Sequence, residues 1–212
     1  YHANGLNLIA GIWDGGAVRS THQEFGGRVI IRDGAGVVDH ATHVGGTIGA
    51  SGVVFSAQGM APAVTIYSYD WNNDVSECTA QAATGPNQPT NIYVSNHSYG
   101  ELCGWAYGSW SGNTGYHWFG EPLTDREDRV FGQYNSNTYD WDFLCYNAPY
   151  YLPVWSAGND RGDGVPGAGT TFWYYVSTGP LPQRGWKSKA YDPATDPFAD
   201  YYKSGGYDTV SV

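Results

Sequence analysis

Asp39-His40-Ala41-Thr42-His43-Val44-Gly45-Gly46-Thr47-Ile48 decides how the rest of the chain is read. A turn cluster, Arg32-Asp33-Gly34-Ala35-Gly36, precedes it, and the small residues that follow predict a helix from about His40 to Ala50. Asp39 stands where an N-cap belongs, with a carboxylate able to accept the orphan N–H groups of the first turn. Three- and four-residue spacing puts Val44, Thr47 and Ile48 on one face with His40 and His43. Ala41, Gly45, Gly46 and Gly49 are small enough to let such a helix lie close against a sheet. An imidazole at this position suits a general base, but equally a structural hydrogen-bonder. His43 lies three residues on, as in some metal sites, yet no third ligand is spaced nearby and the pattern is not H-E-x-x-H.

The chain has 212 residues, enough for one domain with a real core. Ten basic residues against twenty acidic ones leave a net charge of −10. That balance argues against nucleic acid and anionic membrane surfaces as partners, since both attract positive patches. No apolar run approaches membrane-spanning length, and Tyr1-His2-Ala3-Asn4-Gly5 lacks the shape of a signal peptide. Much glycine, tyrosine and tryptophan with few lysines is the composition of a secreted protein. The cysteines, Cys78, Cys103 and Cys145, form neither C-x-x-C nor a zinc spacing. One bridge, Cys78 to Cys103, or three buried thiols are the readings they allow.

Leu6 to Trp13 reads as a strand closed by Asp14-Gly15-Gly16, and Arg28 to Ile31 as a second short strand. Beyond the His40 helix, Ser51 to Gly59 is a turn or hairpin, and Val64 to Tyr69 is a strand closed by Asp70. A short helix is expected over Val75 to Ala83, then a strand over Asn91 to Asn96 running into His97-Ser98-Tyr99-Gly100. Residues 101–131 read as a long surface excursion. Thr138 to Tyr146 reads as a helix with Tyr139, Phe143 and Tyr146 on its apolar face. Tyr151 to Ala157 is a strand ending in Gly158-Asn159-Asp160. Arg161 to Gly206 is mostly loop, and Tyr207 to Val212 resembles the start of another strand. Alternating strands and helices predict an α/β fold, a mostly parallel sheet with right-handed crossovers and helices on both faces. In such sheets the binding crevice lies beyond the carboxyl ends of the strands, where Asp14 falls. No internal repeat or linker divides the chain.

Five segments, in order, resemble the subtilisin-like serine proteases. Ile9-Ala10-Gly11-Ile12-Trp13-Asp14-Gly15-Gly16 is similar to the family's aspartate motif. Asp39-His40-Ala41-Thr42-His43-Val44-Gly45-Gly46-Thr47 resembles its histidine motif, H-G-T-H-V-A-G-T, with Ala41 and Gly45 in place of the usual glycine and alanine. Gly59-Met60-Ala61-Pro62 resembles G-M-A-P, and Asn96-His97-Ser98-Tyr99-Gly100 resembles the N-x-S-x-G segment of the substrate channel. Val154-Trp155-Ser156-Ala157-Gly158-Asn159-Asp160 resembles the A-A-G-N segment. The family's nucleophile lies in G-T-S-M-A, and no such segment occurs here. Ser109, Ser111, Ser177, Ser204 and Ser211 have neither that setting nor a G-x-S-x-G elbow. The resemblance implies a single subtilisin-like peptidase catalytic domain over 1–212, incomplete at its C-terminal side.

By that resemblance, Asp14 orients His40, His40 is the general base and then the acid, and Asn159 donates its amide to the oxyanion. Loss of such a donor costs about 3–4 kcal/mol of transition-state stabilisation. Ser98-Tyr99-Gly100 and Ser156-Ala157-Gly158 are expected to flank the first specificity pocket and pair with an extended polypeptide substrate. The nucleophilic serine is expected from a C-terminal segment or second chain, and the 212 residues alone are expected to be inactive. A structural calcium ion is implied too, with Glu24 and the acidic run Asp192 to Asp200 as candidate ligands; the metal-binding residues stay open. The competing readings are a protease-like scaffold without activity and a polysaccharide-binding module built on the many aromatic residues.

Overall fold

A computed structural model describes residues 4–120, 128–159, 164–177 and 184–196. The apolar run opening the chain becomes β1, Ile9–Asp14, and every one of its residues is buried. That pattern belongs to a central strand of a parallel sheet covered on both faces. Around it stand β2 (Val29–Ile31), β3 (Thr65–Asp70), β4 (Val94–His97) and β7 (Leu152–Trp155). They form a five-stranded, all-parallel sheet in the order β2-β3-β1-β4-β7. Helices α1 (Asp39–Gly49), α2 (Asp74–Gln81) and α3 (Ser136–Asn147) connect the strands. This is the α/β, subtilisin-like arrangement of helices about a mostly parallel sheet that the sequence implies.

The two sheet faces carry different cores. On one, Ala10, Ile12, Val29 and Ile66 pack with Ala41 and, less deeply, Val44 and Ile48 of α1. On the other, Ile9, Trp13 and Tyr69 pack with Cys78 of α2 and Trp141, Leu144 and Ala148 at α3. The close approach of α1 rests on its small residues. A Cβ at Gly45 would stand 3.0 Å from Val18 Cγ1, and one at Gly49 3.0 Å from Ile66 Cδ1. Gly46 is not part of this packing, because a Cβ there would meet nothing within 4 Å.

Cα packing divides the chain into two compact units. The first runs up to Tyr99 and takes in Ser136–Ser156; the second begins at Gly100, runs to Asn135 and resumes at Ala157. The second unit holds a separate four-stranded sheet, β5 (Trp105–Trp110), β6 (Asn113–Trp118), β8 (Thr171–Val176) and β9 (Gly185–Ala190), in the order β5-β6-β8-β9. Its core is aromatic: Trp105, Trp118, Phe172 and Tyr191.

Several expectations are corrected. Residues 101–131 are not a plain excursion, since β5 and β6 form a hairpin there, and residues 161–206 contain β8 and β9. Aromatic side chains on both faces of these strands hide the alternation that marks a half-buried strand. Asp39 is the first helical residue, not the cap: Val38 takes the cap position, and Asp39 instead lies 3.7 Å from the Arg19 guanidinium. The buried face of α1 is Ala41-Gly45-Gly49, with His43 and Thr47 turned to solvent. The buried face of α3 is Thr138, Trp141 and Leu144, while Tyr139, Phe143 and Tyr146 are exposed. Trp141 packs edge-on against both His97 and Trp155, which fixes the helix rotation. Cys78, Cys103 and Cys145 are all thiols, so the Cys78–Cys103 bridge is not formed. The strand expected over 207–212 lies outside the described residues, as do Asp160, Ser204 and Ser211.

Candidate active site

The parallel register builds the site. Trp13, His97 and Trp155 are partners across β1, β4 and β7. The next residue along each strand is Asp14, Ser98 and Ser156 respectively. Three of the residues singled out from the sequence thus leave the sheet side by side at its carboxyl edge, where α/β sheets bind ligands.

His40 reaches this edge through a second, short parallel pairing. Ala17 pairs with Val37, the Ala17 N–H donates to the Gly36 carbonyl at 2.7 Å, and the Val38 N–H donates to the Ala17 carbonyl at 3.0 Å. The loop leaving β1 is thereby stitched to the segment entering α1. Gly16 makes that possible, since a Cβ there would lie 2.5 Å from the Gly36 carbonyl oxygen. Val18 N–H donates to Ser68 Oγ at 2.9 Å and Arg19 N–H to Thr42 Oγ1 at 3.0 Å, closing the loop onto β3 and α1.

The outcome is a close carboxylate–imidazole pair. His40 Nδ1 lies 2.8 Å from both Oδ1 and Oδ2 of Asp14. A carboxylate accepts only, so Nδ1 carries the proton and Nε2 presents its lone pair. Asp14 is buried, and its Oδ1 also accepts the Gly15 N–H at 2.7 Å. The His40 side chain is largely exposed. A buried acceptor that fixes the tautomer of an exposed imidazole leaves Nε2 able to take up a proton, which is the chemistry a general base needs.

The flanking segments are placed as follows. Ser98 and Tyr99 are half-buried, with Ser98 Oγ accepting from Asn96 Nδ2 at 2.8 Å. Ser156 is exposed, and its N–H donates to the His97 carbonyl at 3.0 Å. Gly100, Ala157, Gly158 and Asn159 belong to the second unit. Among them Gly158 has φ +87°, a left-handed backbone suited to glycine, and Asn159 is exposed.

Glu24 turns out to serve the protein itself. Its buried carboxylate accepts the N–H groups of Gly52, Val53 and Val54 at 2.8, 2.9 and 2.7 Å and faces Ser51 Oγ at 3.4 Å. These donors, led by Val54, hold the Glu24 pKa below the usual carboxylate value against the opposing effect of burial. N–H groups aimed at a carboxylate place positive dipole ends where a cation would bind, so Glu24 as placed does not fit a calcium ligand. Asp192 accepts from the Ala194 N–H and Thr195 hydroxyl, and Asp196 accepts from Lys189 and the Asp192 N–H. Asp200 lies outside the described residues. Among the described residues no three His, Cys, Asp or Glu side chains gather to hold a metal ion.

Sequence reading passed over a group lying directly under this edge: Asp74, Ser95, His97 and Tyr151. Ser95 and His97 share one face of β4 by their two-residue spacing, but Asp74 opens α2 and Tyr151 precedes β7, so no spacing brings these two to that face; only the fold does. Cys78 meets the Tyr151 hydroxyl at 3.2 Å, and burial pushes its thiol pKa far up, which leaves it unreactive.

No helix among the described residues is long and apolar enough to cross a membrane. The model of the subtilase family matches residues 31–197, a span that takes in His40, Ser98 to Gly100 and Ser156 to Asn159 and leaves Asp14 outside. No curated protein matches the chain.

Proposed function

Because the chain belongs to the subtilase family, whose members are serine peptidases, we propose that it is the Asp–His part of a secreted serine endopeptidase, with the nucleophile supplied by a segment outside these 212 residues. The observation that carries this reading is the Asp14–His40 contact, 2.8 Å to each carboxylate oxygen. In the proposed reaction His40 Nε2 takes the proton of the serine hydroxyl as it attacks the peptide carbonyl. Asp14 stabilises the imidazolium that forms, and His40 then gives the proton to the leaving amine. Asn159 is assigned the oxyanion. Ser98 to Gly100 and Ser156 to Gly158 are assigned the extended substrate.

Two observations support a separate source for the serine. No G-T-S segment occurs in the sequence. The sheet face beside α1 is also only half covered. Across one register row and the next, Ala10, Ile12 and Ile66 are buried under α1. Their neighbours toward the β7 edge, Val94 (42% exposed), Leu152 (61%) and Val154 (47%), are not. An all-parallel sheet is stable with both faces covered, so a further apolar element belongs there.

The test is direct. The purified 212-residue chain is expected to hydrolyse no peptide substrate and to resist a serine-directed phosphonate. Adding a polypeptide that carries a G-T-S segment is expected to restore both activities. A single 23.0 kDa species that cleaves peptides would refute the reading.

A further inference from the structure

His97 is fully buried at the end of β4 and is boxed by indoles. Its ring stacks on Trp155 at 4.5 Å and on Trp13 at 5.3 Å, and Trp141 meets it edge-on at 5.0 Å. Both ring nitrogens are hydrogen-bonded: Nδ1 to the Tyr99 hydroxyl at 2.9 Å, Nε2 to Ser95 Oγ at 2.7 Å. The Tyr99 hydroxyl lies 2.7 Å from Asp74 Oδ2.

This chain has one direction. The Asp74 carboxylate only accepts, so Tyr99 donates to it. The Tyr99 oxygen is then left to accept, and His97 Nδ1 must carry the proton. Nε2 in turn accepts from Ser95, whose oxygen also touches the Tyr151 hydroxyl. A single carboxylate thereby fixes a tautomer and two hydroxyl rotors, those of Tyr99 and Ser95, inside the core. The backbone of His97 makes a further link, since its carbonyl accepts the Ser156 N–H at 3.0 Å.

We infer that His97 is a positioning residue that ties Tyr99, through its ring, and Ser156, through its carbonyl, into one rigid wall, and so sets the selectivity of the pocket those segments border. The inference rests on the peptidase reading, which assigns Ser98 to Gly100 and Ser156 to Gly158 to substrate. Tyr99 and Ser156 lie on segments that leave neighbouring strands, and such segments move independently unless something inside the sheet joins them. Here the joint is one side chain with two polar ends, gripped between flat rings. Stacking fixes its plane, and the hydrogen bonds fix its rotation within that plane. A ring fixed in both respects holds the Tyr99 hydroxyl on His97 and Asp74, so that hydroxyl is not offered to a bound peptide.

The experiment uses the 212-residue chain and a set of acetyl-tetrapeptide amides identical except for a C-terminal Ala, Leu, Phe, Lys or Glu, with dissociation constants read by tryptophan fluorescence. His97→Phe keeps a flat ring between the indoles and removes both polar ends. His97→Gln keeps an amide that can donate at one end and accept at the other. Wild type is expected to discriminate among the peptides. His97→Phe should lower the ratio of best to worst affinity roughly tenfold, the scale of a pocket that has lost its shape, and His97→Gln should regain much of it. Where His97→Phe does not fold, Ser95→Ala, which removes the donor to Nε2, gives the same comparison. An unchanged ratio in the variant overturns the positioning role and leaves the peptidase reading intact. Wild type that binds none of the peptides overturns the assignment of these segments to substrate, and the positioning role with it.

Discussion

His97 and Glu24 are both buried ionisable side chains, and the protein treats them in opposite ways. Burial without an opposing charge pushes the His97 pKa down to about 3 from its ordinary 6.5, so the folded state keeps the imidazole neutral. Backbone N–H groups hold Glu24 charged and lower its pKa. Both groups make the protein sensitive to acid, but in different windows. The unfolded chain takes up a proton at histidine near pH 6.5 and the folded chain does not. The stability tied to neutral His97 is therefore complete above pH 6.5 and is lost steadily as the pH falls toward 3. The stability tied to ionised Glu24 is complete above its unfolded pKa, near 4.5, and is lost as the pH falls through its lower folded value. Wild type relative to His97→Phe should thus lose about 2 kcal/mol between pH 6.5 and 4.5, while wild type relative to Glu24→Gln should show no slope there and one below pH 4.5. Urea melts at half-unit pH steps measure both differences. Parallel wild-type and His97→Phe profiles between pH 4.5 and 6.5 would contradict a neutral buried imidazole. Neither role is legible in the sequence. Asp14 and His40 stand in recognisable motifs, whereas His97 sits in the variable position of N-x-S-x-G, and Glu24 takes its partners from the turn at Gly52 to Val54, whose hydrogen bonding no side-chain pattern encodes.

At the scale of elements, the contact between the loop leaving β1 and the segment entering α1 decides whether a base exists at all. Gly16 is its tightest point. Its Cβ position is blocked by backbone, the Gly36 carbonyl at 2.5 Å, and by Val38 Cγ1 at 2.8 Å. Gly16→Ala must therefore push the two segments apart, break the Ala17–Val37 pairing and draw His40 from Asp14. A cost of about 1–3 kcal/mol is expected from the overpacking, with loss of the downfield Nδ1 proton of His40 in the NMR spectrum. A folded Gly16→Ala protein that keeps that proton would show that the pairing does not position the base. The elements themselves were legible in proportion to how simply they are buried. β1 and β7 are short apolar runs, β3 is rich in β-branched and aromatic residues, and α1 carries a small-residue stripe, so each reads directly. The hairpin β5–β6 did not, although Ser111 and Gly112 at its turn both have positive φ, 51° and 80°. Ser-Gly between two aromatic runs was the available signal for a tight hairpin turn. The buried face of α3 does not read from its sequence because large aromatics stand on both sides of it: Tyr139 and Phe143 stack on each other at its surface, 6.2 Å apart, and imitate a core-facing pair.

For the molecule as a whole, the unequal cover of the parallel sheet is the feature that bears on activity. α2 and α3 close one face, but α1 covers only the β1, β2 and β3 part of the other. Val94, Leu152 and Val154 then form an apolar strip along β4 and β7, starting from the same strands that deliver Ser98 and Ser156 to the site. A segment that covered this strip would lie on the same sheet face as α1, whose first turn carries His40. The net charge of −10 keeps such a strip from driving general precipitation, yet the strip itself stays free for one apolar partner. Leu152→Lys tests this without touching the core. Leu152 is 61% exposed, so the variant should unfold at the same urea concentration as wild type and keep the Asp14–His40 proton signal. It should fail to regain peptidase activity with a G-T-S-bearing polypeptide that restores the wild type, because a lysine would have to be buried in the covered strip, at a cost of several kcal/mol. Sedimentation of the mixed chains reads the association separately from the chemistry. Association and activity as in wild type would place the nucleophile's segment somewhere other than the open half of the sheet.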